Sequence, residues 1–316
     1  MNPTIPSRQQ LEETYLRLQS LVHRTPVLCS SLLDELSGAQ VYFKCENFQR
    51  SGSFKMRGAL NSILSLGEAE KKAGVVTHSS GNFGQAVALA ASSLGVKAYI
   101  VMPENAPEVK KNAVRSYDGI ITICESTIQA RETAAGRIQN ETGATLLHPS
   151  NSMAVILGNS TATIELLEEL PDLDMVLAPI GGGGLIAGTA LAAHYYGIDC
   201  QTLGGEPFEV DDAYRSLQSG KIETNETINT IADGLRTHLG DINFPIIQNL
   251  VSEIIRVEEQ EIIDALRLIW ERMKIVIEPS CAVPFAALLR EKEKFEGKKV
   301  GIIISGGNVD LSALPF

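Results

Sequence analysis

The chain has 316 residues, 44% of them hydrophobic and 21% charged, and its formal net charge is −11. This length can bury a large core and exceeds one typical domain, so the composition predicts a globular protein with two lobes. The acidic balance and the lack of any basic run argue against a nucleic acid or an anionic membrane surface as a partner. A locally cationic pocket for a small anion is still compatible with this charge.

The N-terminal segment MNPTIPSRQQ has neither the basic part nor the apolar run of a secretory signal, so we expect a cytoplasmic location. The cysteines are scattered and form no CxxC pair, which predicts buried free thiols rather than a disulfide framework or a zinc site. They are Cys29, Cys45, Cys124, Cys200 and Cys281.

Short apolar runs alternate with longer amphipathic stretches along the chain. Strands are predicted at residues 74–78, 97–103, 119–125, 145–149, 175–181 and 299–307. Helices are predicted at residues 82–94, 106–117, 128–142, 153–170 and 259–273. This alternation predicts βαβ units, and therefore an α/β fold with open parallel sheets and helices on both faces.

One uncharged segment, MVLAPIGGGGLIAGTALAA at residues 175–193, is about long enough to span a membrane. Four consecutive glycines and Pro179 suit a lipid-exposed helix poorly. We therefore predict an apolar strand, a glycine turn and a helix of small residues within a soluble sheet.

Three loops follow predicted strands, where backbone N–H groups and helix N-termini can face an anion. They are HSSGNFG at 78–84, GGGG at 181–184 and IIISGGN at 302–308. For the first, a serine-rich helix cap is an equally good interpretation. The four glycines favour a phosphate cradle, although no nucleotide-binding GK[ST] or GxGxxG pattern accompanies them. The third is either a structural turn or a ligand contact through Ser305.

Lys55, in SGSFKMRGA at residues 51–59, is either an exposed helix lysine or a Schiff-base lysine. The second role needs a depressed pKa, which burial and nearby positive charge can provide. Phe54 could contribute to the burial and Arg57 could supply the charge. Taken alone, the spacing favours an exposed lysine.

The acidic segment GEPFEVDD at residues 205–212 is a solvated loop or a cation site using Glu206 and Asp212. Its spacing favours the loop. The histidines lie apart and none accompanies a serine elbow motif, so no Ser-His-Asp triad is indicated.

Seven motifs in chain order resemble the fold-type II pyridoxal-phosphate enzymes, in particular the group of serine racemases, serine/threonine dehydratases and hydroxyaspartate dehydratases. They are SGSFKMRGA, HSSGNFG, GGGGL, GEP, IADG, IEPSCA and SGGN, and the resemblance runs from about residue 24 to the C-terminus. It implies the tryptophan synthase β-like fold. In that fold a large cofactor-binding domain, residues 1–73 and 152–316, holds an inserted small domain, residues 74–151.

The resemblance also implies how pyridoxal 5'-phosphate would be held. Lys55 would bond covalently to the cofactor, with Phe54 against its ring and Asn82 at the ring hydroxyl. Ser305 would face the pyridine nitrogen, and because a serine is a poor proton donor, elimination is favoured over transamination. The phosphate would lie in the cradle of Gly181, Gly182, Gly183 and Gly184.

Further roles implied by the resemblance concern the substrate and a metal. Ser79, Ser80 and Gly81 would bind the substrate carboxylate, and Ser80 would act on the face opposite Lys55. Arg131 would meet a second carboxylate of the substrate, unless it is a surface residue of its helix. Glu206, the Val210 carbonyl and Asp212 would bind a divalent cation, Mg²⁺ or Ca²⁺.

The activity expected from the resemblance is that of an ammonia-lyase (dehydratase) on 3-hydroxyaspartate, serine or threonine, with or without racemase activity. The alternatives are a protein that is mainly a serine racemase, a β-replacement transferase, and a non-catalytic cofactor-binding protein. The partners expected are a small amino-acid substrate and a second copy in a homodimer, although the sequence itself does not fix the oligomeric state. Phe83, Ser150 and GNST at 158–161 depart from the family pattern, which leaves the substrate preference open.

Overall fold

The computed structural model describes residues 5–79, 81–106 and 108–316. In these ranges the helices are α1 (Arg8–Leu18), α2 (Ser31–Ser37), α3 (Lys55–Leu64), α4 (Glu68–Ala73), α5 (Asn82–Ser93), α6 (Glu108–Ser116), α7 (Ile128–Thr142), α8 (Met153–Glu169), α9 (Gly184–Tyr196), α10 (Asp212–Ser219), α11 (Phe244–Leu250), α12 (Glu259–Met273), α13 (Pro279–Arg290) and α14 (Lys292–Phe295). The strands are β1 (Val27–Leu28), β2 (Gln40–Cys45), β3 (Val75–Thr77), β4 (Ala98–Pro103), β5 (Ile120–Cys124), β6 (Thr145–Leu146), β7 (Met175–Pro179), β8 (Gln201–Pro207), β9 (Glu253–Val257) and β10 (Lys299–Ile304).

The strands form two sheets. The six-stranded sheet has the order β1-β2-β10-β7-β8-β9, and the four-stranded sheet has the order β5-β4-β3-β6. All neighbouring strands are parallel except β1 and β2, which pair antiparallel at one edge. The predicted α/β fold with parallel sheets is therefore confirmed, and the antiparallel edge strand is an addition to it.

Helices cover both faces of each sheet because the strands are apolar on both sides. In the six-stranded sheet, α2, α12 and α13 share one buried apolar cluster, while α8, α9 and α11 share the cluster on the opposite face. In the four-stranded sheet, α5 and α6 lie on one face and α7 on the other. Helix α3 packs against both α5 and α8 and so connects the two layered units.

The four-stranded sheet uses strands between Val75 and Leu146. The domain boundaries at residues 74 and 151 stay a prediction. The uncharged segment at 175–193 forms β7, a glycine turn and α9, as predicted. None of the described helices is long and apolar enough to cross a membrane.

Candidate active site

Lys55 is the first residue of α3, and the segment before it is fixed against the end of β10. Ser51 and Gly52 form a left-handed turn with φ values of 61° and 73°. A Cβ on Gly52 would lie 2.5 Å from Asn308 Oδ1, so the turn requires glycine there. The Phe54 N–H then donates to the Ser305 carbonyl over 2.9 Å. The motif SGSFK therefore places Lys55 beside Ser305.

The Lys55 amine lies in a half-buried, largely apolar environment. Its Nζ donates to the Pro149 carbonyl over 2.8 Å and lies 4.9 Å from the centre of the Phe54 ring and 5.7 Å from that of Phe83. Burial lowers the pKa of Lys55 to about 8, and the charge of Glu278 partly opposes this. An amine with this pKa can take up and release protons near neutral pH.

Arg57 does not supply the positive charge that its position suggested. Its side chain is fully buried, and its Nε and Nη1 lie 2.7 Å from oxygens of Glu46 and Glu165 respectively. Lys44 pairs with Glu165 over 2.6 Å in the same cluster. Since two acids neutralise these two bases, burial rather than a neighbouring cation depresses the pKa of Lys55.

The loop after β3 leads into α5, whose N-cap is Gly81. No described side chain caps this helix, so the interpretation as a serine cap finds no support among the described residues. Among the residues that the structure describes, no side chain occupies the first N–H groups of α5, which fits an anion site there. Ser79 is half-buried, and an added Cβ on Gly81 would meet nothing within 4 Å. Ser80 lies outside the described residues.

Asn82 is held by two residues to which the sequence assigned no role. Its Nδ2 lies 2.9 Å from each carboxylate oxygen of Glu278, and its Oδ1 accepts from Asn308 Nδ2 over 2.9 Å. Burial raises the pKa of Glu278 to about 7. Glu278 lies in the motif IEPSCA and Asn308 in the motif SGGN, but neither motif indicates a contact with Asn82.

The four glycines form a tight turn between β7 and α9. A Cβ added at any of the four would come within 3.0 Å of another atom. At Gly181 this atom is the Gly234 carbonyl oxygen (3.0 Å), and at Gly182 it is Ser150 Oγ (2.3 Å). At Gly183 it is Asn243 Oδ1 (2.7 Å), and at Gly184 it is the Ser150 carbonyl oxygen (2.8 Å). Gly183 also has a φ of 78° and is the N-cap of α9. A glycine turn without side chains at a helix N-terminus fits a phosphate group.

Ser150 and Pro149 connect this glycine turn to Lys55, since Pro149 accepts the hydrogen bond from Lys55 and Ser150 packs against Gly182. Ser305 follows β10 and is only 3% exposed. The structure thus brings Lys55, Ser305 and the glycine turn to one place at the carboxyl ends of neighbouring parallel strands β7 and β10.

Arg131 lies on α7, half-buried, with its Nε 3.4 Å from the Thr127 carbonyl. Burial lowers the pKa of His78, and the nearby charge of Arg131 contributes to that shift. His78 stacks edge-on against His148 with ring centres 6.4 Å apart. Burial, His78 and Lys55 together lower the pKa of His148 to about 4, so Arg131 and Lys55 both act electrostatically on this histidine pair.

Glu206 and Asp212 come together at the end of β8, where they are 0% and 1% exposed, so the interpretation as a solvated loop is wrong. Glu206 accepts from the N–H groups of Ala213 and Tyr214, over 3.1 and 2.8 Å. Burial raises the pKa of both carboxyls, and the charge of Asp212 adds to the shift at Glu206. The described residues contain no group of three or more His, Cys, Asp or Glu that could hold a metal. A cation here would need the Val210 carbonyl or water as further ligands.

A half-buried lysine with a lowered pKa, a glycine turn suited to phosphate and a serine at the adjacent strand end are compatible with the pyridoxal-phosphate site that the sequence predicts. The family model described as pyridoxal-phosphate dependent enzyme matches residues 18–306. The chain therefore belongs to this enzyme family.

Known relatives are similar over nearly the whole chain. A serine racemase from Dictyostelium discoideum is 48% identical over 97% of this chain and 96% of its own length. A beta-hydroxyaspartate dehydratase from Paracoccus denitrificans (strain Pd 1222) is 45% identical over 99% of both chains. The crystal structure of a threonine deaminase from T.th. has a TM-score of 0.92 and 42% identity, and the match covers 98% of this chain and 100% of that one.

Proposed function

We propose that this enzyme is an ammonia-lyase (dehydratase) that converts a β-hydroxy amino acid to a 2-oxo acid and ammonia. The proposed substrates are 3-hydroxyaspartate, serine or threonine. The observation that carries the proposal is the placement of the Lys55 amine against the Pro149 carbonyl and the rings of Phe54 and Phe83, where burial lowers its pKa to about 8. A second activity, racemisation of the same substrates, is favoured by the 48% identity to a serine racemase.

The residues that would hold the cofactor have compatible chemistry. The glycine turn at 181–184 offers its N–H groups and the N-terminus of α9 to the phosphate. Phe54 presents its ring next to Lys55, and the Asn82 amide, which Glu278 holds in place, would face the ring hydroxyl. Ser305 offers a neutral hydroxyl to the ring nitrogen. When bound, pyridoxal phosphate supplies an electron sink for the carbanion formed at the substrate α-carbon.

Lys55 is the proposed base that removes the α-proton of the substrate. Only its neutral form can accept a proton, and a pKa of about 8 leaves a useful neutral fraction near physiological pH. The Pro149 carbonyl, 2.8 Å from Nζ, orients the amine. Ser305 is a poor proton donor and so keeps the electron sink moderate, which favours loss of the β-hydroxyl over transamination.

The substrate carboxylate would lie at the start of α5, against Ser79 and the N–H groups after Gly81, which no described side chain caps. Ser80 is proposed to donate a proton on the face opposite Lys55, which would give the other enantiomer. Elimination and racemisation would thus share the proton removal by Lys55 and differ in the following step.

The proposal extends to a cation, a partner and a location. Mg²⁺ and Ca²⁺ prefer hard oxygen ligands. Ligands of this kind are available from the buried carboxylates of Glu206 and Asp212 and from the Val210 carbonyl. We further propose a homodimer, on the basis of the sequence resemblance, and a cytoplasmic location. Light scattering of the purified protein and cell fractionation test these two points, and a monomer or a membrane-pellet location would contradict them.

The test of the function is a product analysis of the cofactor-loaded enzyme with serine, threonine and the isomers of hydroxyaspartate. We expect ammonia and the matching 2-oxo acid from at least one of them, and chiral chromatography will show any enantiomer formed. Lys55→Ala should lose both products and the visible absorbance of the bound cofactor. Absence of ammonia with every substrate, together with activity on thiols and O-acetylserine, would instead identify a β-replacement transferase.

A further inference from the structure

Cys281 is a buried thiol next to Ser305 that the proposed chemistry does not use. It lies in the first turn of α13 and is 0% exposed. Its Sγ is 3.2 Å from Ser305 Oγ and 2.8 Å from the Gly306 carbonyl oxygen, and it accepts from the Gly306 N–H over 3.0 Å. The thiol therefore contacts both the side chain of Ser305 and the backbone that follows it.

The backbone around Ser305 is fixed independently of Cys281. The Ser305 carbonyl accepts from the Phe54 N–H over 2.9 Å, and the Gly306 carbonyl accepts from the Glu278 N–H over 3.1 Å. Among the described residues, Cys281 is the partner found for the Ser305 hydroxyl. The thiol is thus the group that restricts the rotation of that hydroxyl.

The single hydrogen of the Cys281 thiol allows two hydrogen-bonding arrangements, and Cys281 stays hydrogen-bonded to Ser305 in both. Burial raises the pKa of the Cys281 thiol, which keeps its single hydrogen. If S–H donates to the Gly306 carbonyl, the sulfur can accept from the Ser305 hydroxyl. If the Ser305 hydroxyl instead donates to an acceptor in the active site, the thiol hydrogen can turn to Ser305 Oγ, because thiols and hydroxyls both donate and accept.

We propose that Cys281 is a positioning residue that holds the Ser305 hydroxyl towards the pyridine nitrogen of the cofactor. This inference rests on the proposed cofactor contact of Ser305. It does not depend on which amino acid is the substrate, because its effect lies in cofactor binding.

The test compares cofactor dissociation constants, measured by equilibrium dialysis, for the wild type, Cys281→Ala, Cys281→Ser and the control Cys200→Ala. We expect Cys281→Ala to weaken binding about three- to tenfold, as for loss of one hydrogen bond. Cys281→Ser keeps a donor and acceptor and should restore affinity to within about twofold. Cys200, whose Sγ lies 3.9 Å from the Gln201 carbonyl at the start of β8, should have no effect.

Two further measurements separate positioning from general stability. In a Ser305→Ala background the change Cys281→Ala should have no additional effect on cofactor affinity. A cofactor analogue with a CH group in place of the ring nitrogen should bind equally to the wild type and to Cys281→Ala. The visible spectrum of the loaded Cys281→Ala enzyme should also differ from that of the wild type.

The proposal is overturned if Cys281→Ala binds the cofactor as tightly as the wild type, or weakens the analogue lacking the ring nitrogen to the same extent. If Cys281→Ala does not fold, Cys281→Ser decides: loss of affinity in that variant contradicts the proposal. These measurements need no substrate. A protein that binds the cofactor as expected but releases no ammonia would therefore contradict the proposed function and leave the role of Cys281 intact.

Discussion

At the scale of single residues, Arg131 is the side chain expected to select between substrates. It lies half-buried on α7, and burial together with the charge of Arg131 lowers the pKa of His78, whose ring packs edge-on against that of His148. A guanidinium binds a carboxylate through two parallel hydrogen bonds. We therefore expect Arg131→Ala to lower kcat/KM for hydroxyaspartate by about tenfold or more, as for loss of a charged hydrogen bond, with little change for serine.

Arg137→Ala is the matched control for this prediction, since Arg137 lies on the same helix and is 64% exposed. Steady-state kinetics measure kcat/KM of both variants for hydroxyaspartate and for serine. An equal loss of activity on serine and hydroxyaspartate in Arg131→Ala would show that Arg131 meets no second carboxylate.

Glu278 is expected to make the stability of the cofactor-free protein depend on pH. Burial raises the pKa of Glu278 to about 7 from its ordinary value of 4.5, so the folded state binds this proton more tightly than the unfolded state. Glu278 therefore makes its full contribution to the free energy of unfolding below the unfolded-state pKa of 4.5. This contribution is lost as the pH rises through the folded-state pKa of about 7. The loss is about 1.4 kcal/mol for each unit of difference between the two pKa values.

The Glu278→Gln variant lacks this titrating group. Between about pH 5 and about pH 8, the free energy of unfolding of the variant should therefore fall less than that of the wild type. Urea denaturation at the two pH values measures the difference. The exposed Glu291→Gln should keep the wild-type dependence. If Glu278→Gln also keeps it, the carboxyl does not titrate in this range.

The residues predictable from the sequence were those within contiguous motifs, such as Lys55 and the glycines at 181–184. Glu278 was not assigned because its role depends on Asn82, which lies 196 positions away along the chain. Arg57 was misjudged for a related reason. Its position two residues after Lys55 suggested a shared environment, but its side chain points into the cluster with Glu46 and Glu165.

At the scale of elements, the turn between β7 and α9 should tolerate no side chain. Gly182→Ala would place a Cβ 2.3 Å from Ser150 Oγ and 2.8 Å from Ser150 Cβ, and the turn must move to relieve this contact. Because the N–H groups of the turn are proposed to hold the phosphate, we expect cofactor affinity to fall by about tenfold or more, as for loss of several aligned donors.

Gly136→Ala is the control, since an added Cβ there meets nothing within 4 Å on α7. That change should leave cofactor affinity unaltered and slightly stabilise the helix. Combining Gly182→Ala with Ser150→Gly removes the contacting side chain and should recover part of the affinity. Unchanged binding in Gly182→Ala alone would contradict the proposed cradle.

The predicted elements all have regular apolar patterns, and two of the missed elements owe their form to tertiary contacts. Strand β8, QTLGGEP, contains two glycines that suggest a loop. A Cβ at Gly204 would lie 2.2 Å from Ile180 Cδ1, and one at Gly205 would lie 3.1 Å from Pro284 Cα, so close packing favours glycine at both positions. Helix α13 carries Pro284 in its interior. Because proline usually breaks a helix, the sequence pattern did not predict a helix there.

At the scale of the whole molecule, the alternation of strands and helices predicted the parallel sheets, but not which elements meet between them. The candidate cation site illustrates such a contact. Asp212 Oδ2 accepts from the Leu239 N–H over 3.0 Å, and Leu239 packs against Gly183. Asn243, on the same segment, donates to the Gly182 carbonyl over 2.8 Å. The segment 239–243 therefore connects Asp212 to the proposed phosphate cradle.

A divalent cation bound by Glu206 and Asp212 should consequently stabilise the fold and also tighten cofactor binding. A ligand that binds only the folded state raises its stability, by about 2.7 kcal/mol at a hundredfold excess over the dissociation constant. We expect Mg²⁺ or Ca²⁺ to raise the melting temperature of the chelator-treated protein and to lower its cofactor dissociation constant. Glu206→Gln should lose both effects, whereas the exposed neighbour Glu209→Gln should keep them. A melting temperature that ignores both cations, or responds equally in Glu206→Gln, would exclude these carboxylates as the ligands.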